Sequence, residues 1–187
     1  MAIGRLVLRA TVGGLMLGHG LQKLTGSFGG AGLEGTEQMM GSIGMHPARH
    51  QARAAALSET LGGALTAAGF LSPLGPAMIS GTMAVAIKKV HLKNGVWVTG
   101  GGYEYNLLLI AASVALAESG PGILSLDGIL RRQRSGLGAA LFALGLGAGA
   151  AAVALAVAEK VAPGEGAATE VTGTEAVTEV PAGAPPA

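Results

Sequence analysis

A chain of 187 residues that is 50% hydrophobic, 12% charged and carries a net charge of +1 has roughly half the charged fraction of a soluble domain, and is read as one integral domain of the lipid bilayer. The near-neutral balance excludes a nucleic-acid partner, which needs a clustered basic surface. The absence of cysteine excludes disulfides, Fe–S ligation, thiol catalysis and covalently attached haem, so any redox chemistry has to use a bound cofactor or a partner.

Five apolar runs approach the ~20 residues that a spanning helix needs. They are Ile3 to Leu24, Ala54 to Leu74, Pro76 to Leu92, Tyr105 to Leu116 with its continuation, and Leu137 to Ala158. The first is a span and not a cleaved signal peptide, because Arg9, His19 and Lys23 interrupt it and no A-x-A-like cleavage site follows. Gly14 with Gly18, and Gly145 with Gly149, have the four-residue spacing that lets membrane helices approach closely. Next comes "LEGTEQMMGSIGMHPARHQA", too polar to cross. Met39, Met40 and Ile43 share one helical face there, so this is either a short amphipathic helix at the interface or an ordinary loop. The tight "SPLGP" joins spans two and three as an antiparallel hairpin.

After span four, "ESGPGILSLDGILRRQRSG" reads as a loop with a basic cluster, and span five is a charge-free run of Ala, Leu, Val and Gly. From Glu159 the chain is acidic and rich in Pro, Gly, Ala and Thr, with too little to bury, and is expected to be disordered. The fold expected is all-α and polytopic, a four-helix transmembrane bundle plus a fifth C-terminal transmembrane helix. Its parts are a bundle over 1–130, a basic loop and extra helix over 131–158, and a tail over 159–187. Lys and Arg in short loops set orientation. Arg5, Arg131, Arg132 and Arg134 lie on one side, against Arg49, Arg53, Lys89 and Lys93 on the other. The tight "RRQR" cluster puts the N-terminus in the cytoplasm and, with five spans, the tail outside.

Helical rise places the ionisable residues in depth. At about 1.5 Å per residue, His19 lies roughly 8 Å beyond the middle of span one, with Lys23 deeper toward the non-cytoplasmic surface. Span two returns, which puts Glu59 roughly 5 Å from its own middle on that same side. Lys88 and His91 end span three there, and Glu104 and Asn106 open span four. One half of the membrane thus collects His19, Lys23, Glu59, Lys88, His91 and Glu104. An isolated charge there costs about 2.5–3.5 kcal/mol on insertion scales, so such residues face a bundle interior and pair. Glu59 with Lys23 or Lys88, and Glu104 with His91, are the natural couples. Lys23, Lys89 and Lys93, near helix ends, can instead snorkel to the headgroups, which the mid-helix Glu59 cannot. Arg9, in the opposite half, is expected to form a structural pair with Glu118 or Asp127.

The order of these signposts resembles the DoxX family of small four-helix membrane proteins across about residues 3 to 130. The resemblance rests on Arg9, Gly20 and Lys23 in the first span, Glu59 with Gly62 and Gly63 in the second, and His91 closing the third. Tyr103 and Glu104 open the fourth, and Gly120 to Gly122 with Asp127 follow it. It implies a membrane subunit of a quinone-reducing or quinol-oxidising system, such as thiosulfate:quinone oxidoreductase. Some members are linked to thiol and oxidative-stress defence, and animal relatives resemble assembly chaperones. The segment from about Leu137 departs from the four-helix pattern.

Three functions fit these residues. In the first, a polar pocket binds a quinone headgroup through His19, Lys23, Lys88, Tyr103 and Asn106. Glu59, His91 and Glu104 exchange protons, and a soluble or membrane oxidoreductase subunit supplies electrons. In the second, the chain is a non-catalytic scaffold or assembly chaperone whose internal charges fix one bundle geometry. The third is a small-solute permease. A non-covalent haem between His19 and His91 is the weaker cofactor alternative, and no metal site is expected.

Overall fold

In a computed structural model that describes residues 2–162, the chain folds into helices and connecting turns, with no strand among the described residues. The α-helices are α1 (Ala2–Thr25), α2 (Gly32–Ser42), α3 (Ala48–Ala68), α4 (Leu74–Ala86), α5 (Glu104–Ser119), α6 (Leu126–Ile129) and α7 (Leu137–Val161). A π-helical turn, Ile87–His91, and a 3-10 turn, Leu92–Asn94, prolong α4. Helix α7 runs through Glu159 and Lys160, so the tail begins later than composition suggests; the rest of the expected disordered segment lies outside the described residues.

Local chemistry sets the helix ends. The Pro47 carbonyl accepts the first amide bonds of α3, from His50 and Gln51. Gly69, at φ 60°, ends that helix in the left-handed conformation. Its amide bonds to the Thr66 carbonyl and that of Phe70 to the Leu65 carbonyl, the paired closure of a Schellman motif. The chain then turns directly into α4, so α3 and α4 form the expected hairpin.

Backbone contact at glycine brings the long helices together. A Cβ on Gly13, Gly20 or Gly63 would strike main-chain atoms across the α1–α3 seam, where Gly13 faces Gly63 and Ala67, and Gly20 faces Thr60. These contacts run in opposite directions along the two helices, which makes the pair antiparallel. Gly62 and Gly75 bring α3 onto α4, and Gly81 and Gly147 bring α4 onto α7. The glycine pairs expected from spacing are not at these seams, since Gly14, Gly18, Gly145 and Gly149 have open space where a Cβ would be. A four-residue spacing fixes separation along a helix but not its face, and a one-residue offset turns the side about 100°.

Helix α4 occupies the middle. Its Ile79 and Met83 meet Val12 and Met16 of α1 and Leu109 and Leu116 of α5, while Ala77, Ala117 and Ala143 join α4, α5 and α7. Ala143 then Gly147 follow Ala77 then Gly81 in order, so α4 and α7 run parallel. At the far end Met40 and Met45 pack on Ala52 and Ala158. The segment left open between helix and loop is thus α2, seated on α3 through Met40, with Met39 exposed.

Large apolar side chains face outward on the surrounding helices: Ile3, Val7 and Leu15 on α1, Leu57 and Leu61 on α3, Leu107 and Leu108 on α5, Leu141 and Phe142 on α7. Among the described residues, α7 is the one helix both long and apolar enough to cross a membrane by length and composition. Helices α1 and α3 carry charged residues that lower their hydropathy, and α4 and α5 are short at 13 and 16 residues.

Candidate functional site

The antiparallel register of α1 and α3 continues one turn past the Gly20–Thr60 contact and delivers Lys23 to Glu59. Their Nζ and Oε2 atoms are 2.5 Å apart. Glu59 is 3% exposed and lies on the same α3 stripe as Gly62, Gly63 and Thr66, so its carboxylate enters the seam between α1 and α3. Of the alternatives open from sequence, Lys23 is therefore the partner rather than Lys88, and it bonds inward rather than snorkelling. The Lys23 carbonyl also accepts from the buried Thr36 hydroxyl at 3.4 Å, which fastens α2 beside the pair.

The other expected members are not gathered around Glu59. His19 meets the Gln22 side chain through Nδ1 at 3.1 Å. His91, on the π-helical turn, makes its 2.8 Å bond to the Gly101 carbonyl and no ion pair with Glu104. Lys88 is exposed. Tyr103 and Glu104 are held by their backbone amides, which donate to the Gly95 and Val96 carbonyls, and Glu104 sits in the first turn of α5, where a carboxylate suits the helix dipole. Asn106 is buried and donates to the Met83 sulfur at 3.3 Å. Among the described residues no group of three or more His, Asp or Glu side chains comes together to hold a metal.

An open groove runs along the outer face of α1, lined by Gly14, Leu15, Gly18, His19, Gln22 and Phe28. The two glycines that make no helix contact form its floor. Phe28 stands at its rim, exposed, on a backbone at φ 53°. The Gln22 amide nitrogen donates to the Phe28 carbonyl at 3.4 Å, which leaves Gln22 Oε1 to accept from His19 Nδ1–H. In neutral His19 the free lone pair then sits on Nε2. Lys23 lies four residues, about one helical turn, further along α1 from His19. Sequence reasoning found His19 and Lys23 but missed Gln22 and Phe28; the spacing of His19 and Gln22 at i, i+3 was the available signal.

The opposite end holds a cation that is itself buried. Arg9, 4% exposed, donates Nη1 to the Pro121 carbonyl and Nη2 to the Leu124 carbonyl, both at 2.6 Å. Arg9 and Thr66 line a small cavity with Leu65, Phe70, Pro76 and Leu116, and the Arg9 Nε and Thr66 hydroxyl are buried without a hydrogen-bond partner among the described residues. The expected ion pair with Glu118 or Asp127 is not formed. Glu118 is exposed. Asp127, 2% exposed, accepts from the Leu71 amide at 3.1 Å and the Ser72 amide at 2.8 Å, while its own amide bonds to the Gly69 carbonyl at 3.0 Å. Opposite charges that could have met each other are instead satisfied by main-chain dipoles of the loops they fasten. Ser125 caps α6 by accepting from the Gly128 amide at 2.9 Å. Bonds from Arg131 to the Gly128 carbonyl and from Arg132 to the Asp127 carbonyl close α6 as a Schellman motif. Arg131, at φ 53°, takes the position glycine normally fills, at a cost of about 1–2 kcal/mol.

The chain is similar in sequence to known proteins. The DoxX family model matches residues 4–92, which run from the N-terminal turn of α1 through α4 and include Arg9, His19, Lys23, Glu59 and His91. Over 125 residues the chain is 34% identical to the "Putative oxidoreductase CatD" of Bacillus subtilis (strain 168), an alignment covering 67% of this chain and 85% of that protein. No solved structure matches the chain. With that relative covered over most of its length and the family match spanning both Arg9 and Lys23, the chain belongs to the DoxX family of membrane proteins.

Proposed function

We propose that the chain is the integral membrane subunit of a quinone-linked redox system. In this reading α1, α3, α4, α5 and α7 each cross the bilayer, with the N-terminus cytoplasmic and the tail outside. The alternating helix directions and the outward-facing leucines support such a multi-pass arrangement, since a soluble chain rarely exposes contiguous apolar patches above a few hundred Å². The relative's name supports a redox role.

The observation that carries the ligand is the His19 groove. A glycine floor admits a flat ring, Phe28 offers an aromatic face at the rim, and His19 Nε2 is placed to accept a hydroxyl proton. A bound quinone would supply the two-electron, two-proton carbonyl–hydroxyl couple. His19 would orient the ring oxygen and take or return a proton there, with Gln22 holding the imidazole tautomer. The Lys23–Glu59 pair, one turn deeper, would fix the field that the imidazolium experiences. Electrons come from an oxidoreductase partner, soluble or membrane-bound.

The test is equilibrium binding of decylubiquinone to the purified chain in nanodiscs. His19→Leu should weaken binding at least tenfold, a loss of about 1.4 kcal/mol, with unfolding temperature unchanged. Saturable binding that ignores His19→Leu, or none by the parent chain, overturns the reading. A non-catalytic scaffold is favoured by one observation, that Lys23 and Glu59 satisfy each other directly. Its signature is full function in a Lys23→Met/Glu59→Met double variant.

A further inference from the structure

The segment between α5 and α7 is packed inside out. Its small and polar residues, Pro121, Gly122, Ser125 and Asp127, are buried, while its large apolar residues, Ile123, Leu124, Leu126, Ile129 and Leu130, are exposed, Ile129 to 74%. This is not a loose loop that happens to show its leucines. Arg9 holds the Pro121 and Leu124 carbonyls, Asp127 is bonded to the α3–α4 turn, and Ser125 caps α6. A segment so fastened, with its apolar side turned out, presents the kind of contiguous apolar patch that marks a partner or membrane surface.

The next residues indicate what that is. Arg131, Arg132 and Arg134 follow at once, all exposed. The sole carboxylate within 121–134, Asp127, is buried and spent on backbone amides, so it does not neutralise them. Arg131 occupies a left-handed position that a glycine would fill without strain. Immediately beyond, α7 continues the apolar surface through the exposed Leu137 and Leu141.

We propose that residues 121–134 form a lipid-docking platform for the headgroup of an anionic phospholipid. Ile123, Leu124, Leu126, Ile129 and Leu130 lie against acyl chains, and the three arginines surround the phosphate. The arginine side chains are the specificity element, since each basic residue near an anionic surface changes partitioning about fivefold. The proposal rests on the multi-pass membrane reading and adds a leaflet chemistry to it.

The experiment uses the full chain in nanodiscs of equimolar phosphatidylglycerol and phosphatidylcholine, followed by stepwise delipidation and native mass spectrometry of the lipids retained. The parent chain should keep phosphatidylglycerol over phosphatidylcholine by at least fivefold. The triple variant Arg131→Gln/Arg132→Gln/Arg134→Gln should bring that ratio near one. Arg49→Gln/Arg53→Gln/Lys93→Gln, at the other end of the bundle, should leave it unchanged. Arg131→Gly gives a readout that a structural role would not move, with unfolding temperature raised and phosphatidylglycerol retention lowered. Equal retention of the two lipids, or equal loss in both triple variants, overturns the platform. Release of the parent chain from membranes by alkaline carbonate would instead overturn the membrane-spanning reading itself.

Discussion

Each end of the bundle sets a cation against a buried partner or in a buried place, and the two are satisfied in opposite ways. Lys23 meets a carboxylate, so a single ion pair joins α1 to α3. Arg9 meets two carbonyls of the 120–125 connection, while the buried Asp127 nearby is committed to two amides of the α3–α4 turn. The difference follows from the side chains. A planar guanidinium reaches two acceptors in a fixed fork, whereas an ammonium is a point charge suited to one anion. Lys23–Glu59 therefore fastens helix to helix and neutralises charge. Arg9 fastens helix to loop and sets a shape.

Several substitutions can break that contrast, and they rank by expected size. Arg9→Met removes two charge-assisted bonds at about 1.5–3 kcal/mol each, so it should cost about 3–6 kcal/mol. Arg9→Lys should recover little, because it cannot span both carbonyls. Thermal unfolding followed by size-exclusion chromatography in detergent measures both, and a melting temperature restored by lysine would show that charge alone matters there. Glu59→Ala should cost about 3–5 kcal/mol by leaving Lys23 unpaired, and the Lys23→Met/Glu59→Met double variant should regain most of it. If the double variant is no better than the single, the pair is not the source of the loss. Asp127→Asn, isosteric but uncharged, keeps one amide acceptor and turns a donor toward the other, for about 1–3 kcal/mol. Hydrogen exchange at the Leu71 and Ser72 amides should rise in it, and unaltered protection would count against the clamp. Smallest is Gly14→Ala, on open space, expected within about 0.5 kcal/mol. Gly13→Ala, one residue away against the α3 backbone, should be clearly destabilising, and equal melting temperatures for the two would contradict the seam.

How far these features were legible depends on what each residue bonds to. Alternating helix direction with a fixed rise was enough to bring Glu59 within reach of Lys23, because both partners are side chains whose charge shows in the sequence. The partners of Arg9 are main-chain carbonyls, which leave no compositional trace, so the nearest carboxylates were proposed in their place. Glycine seams failed for a related reason. Spacing exposes a four-residue interval at Gly14 and Gly18, but which face α1 turns to α3 is decided by the packing of Val12 and Met16 against α4 and α5. Asn106 and Met83 could not be paired beforehand either, since a thioether acceptor has no distinctive spacing. The expectation that His91 meets Glu104 missed the π-helical turn, which carries His91 to the Gly101 carbonyl.

Gly81 and Gly147 touch through their backbones, so α7 fits a slot of fixed width along α4. Ser80, beside that contact, has its hydroxyl buried under the same helix. Were α7 cut away, the slot would open and the buried Ser80 would be uncovered. Helix α7 is thus not a detachable extension of the helices before it. A chimera that carries α1 to α6 without α7, or swaps in a helix lacking glycine at that level, has to rewrite α4 as well.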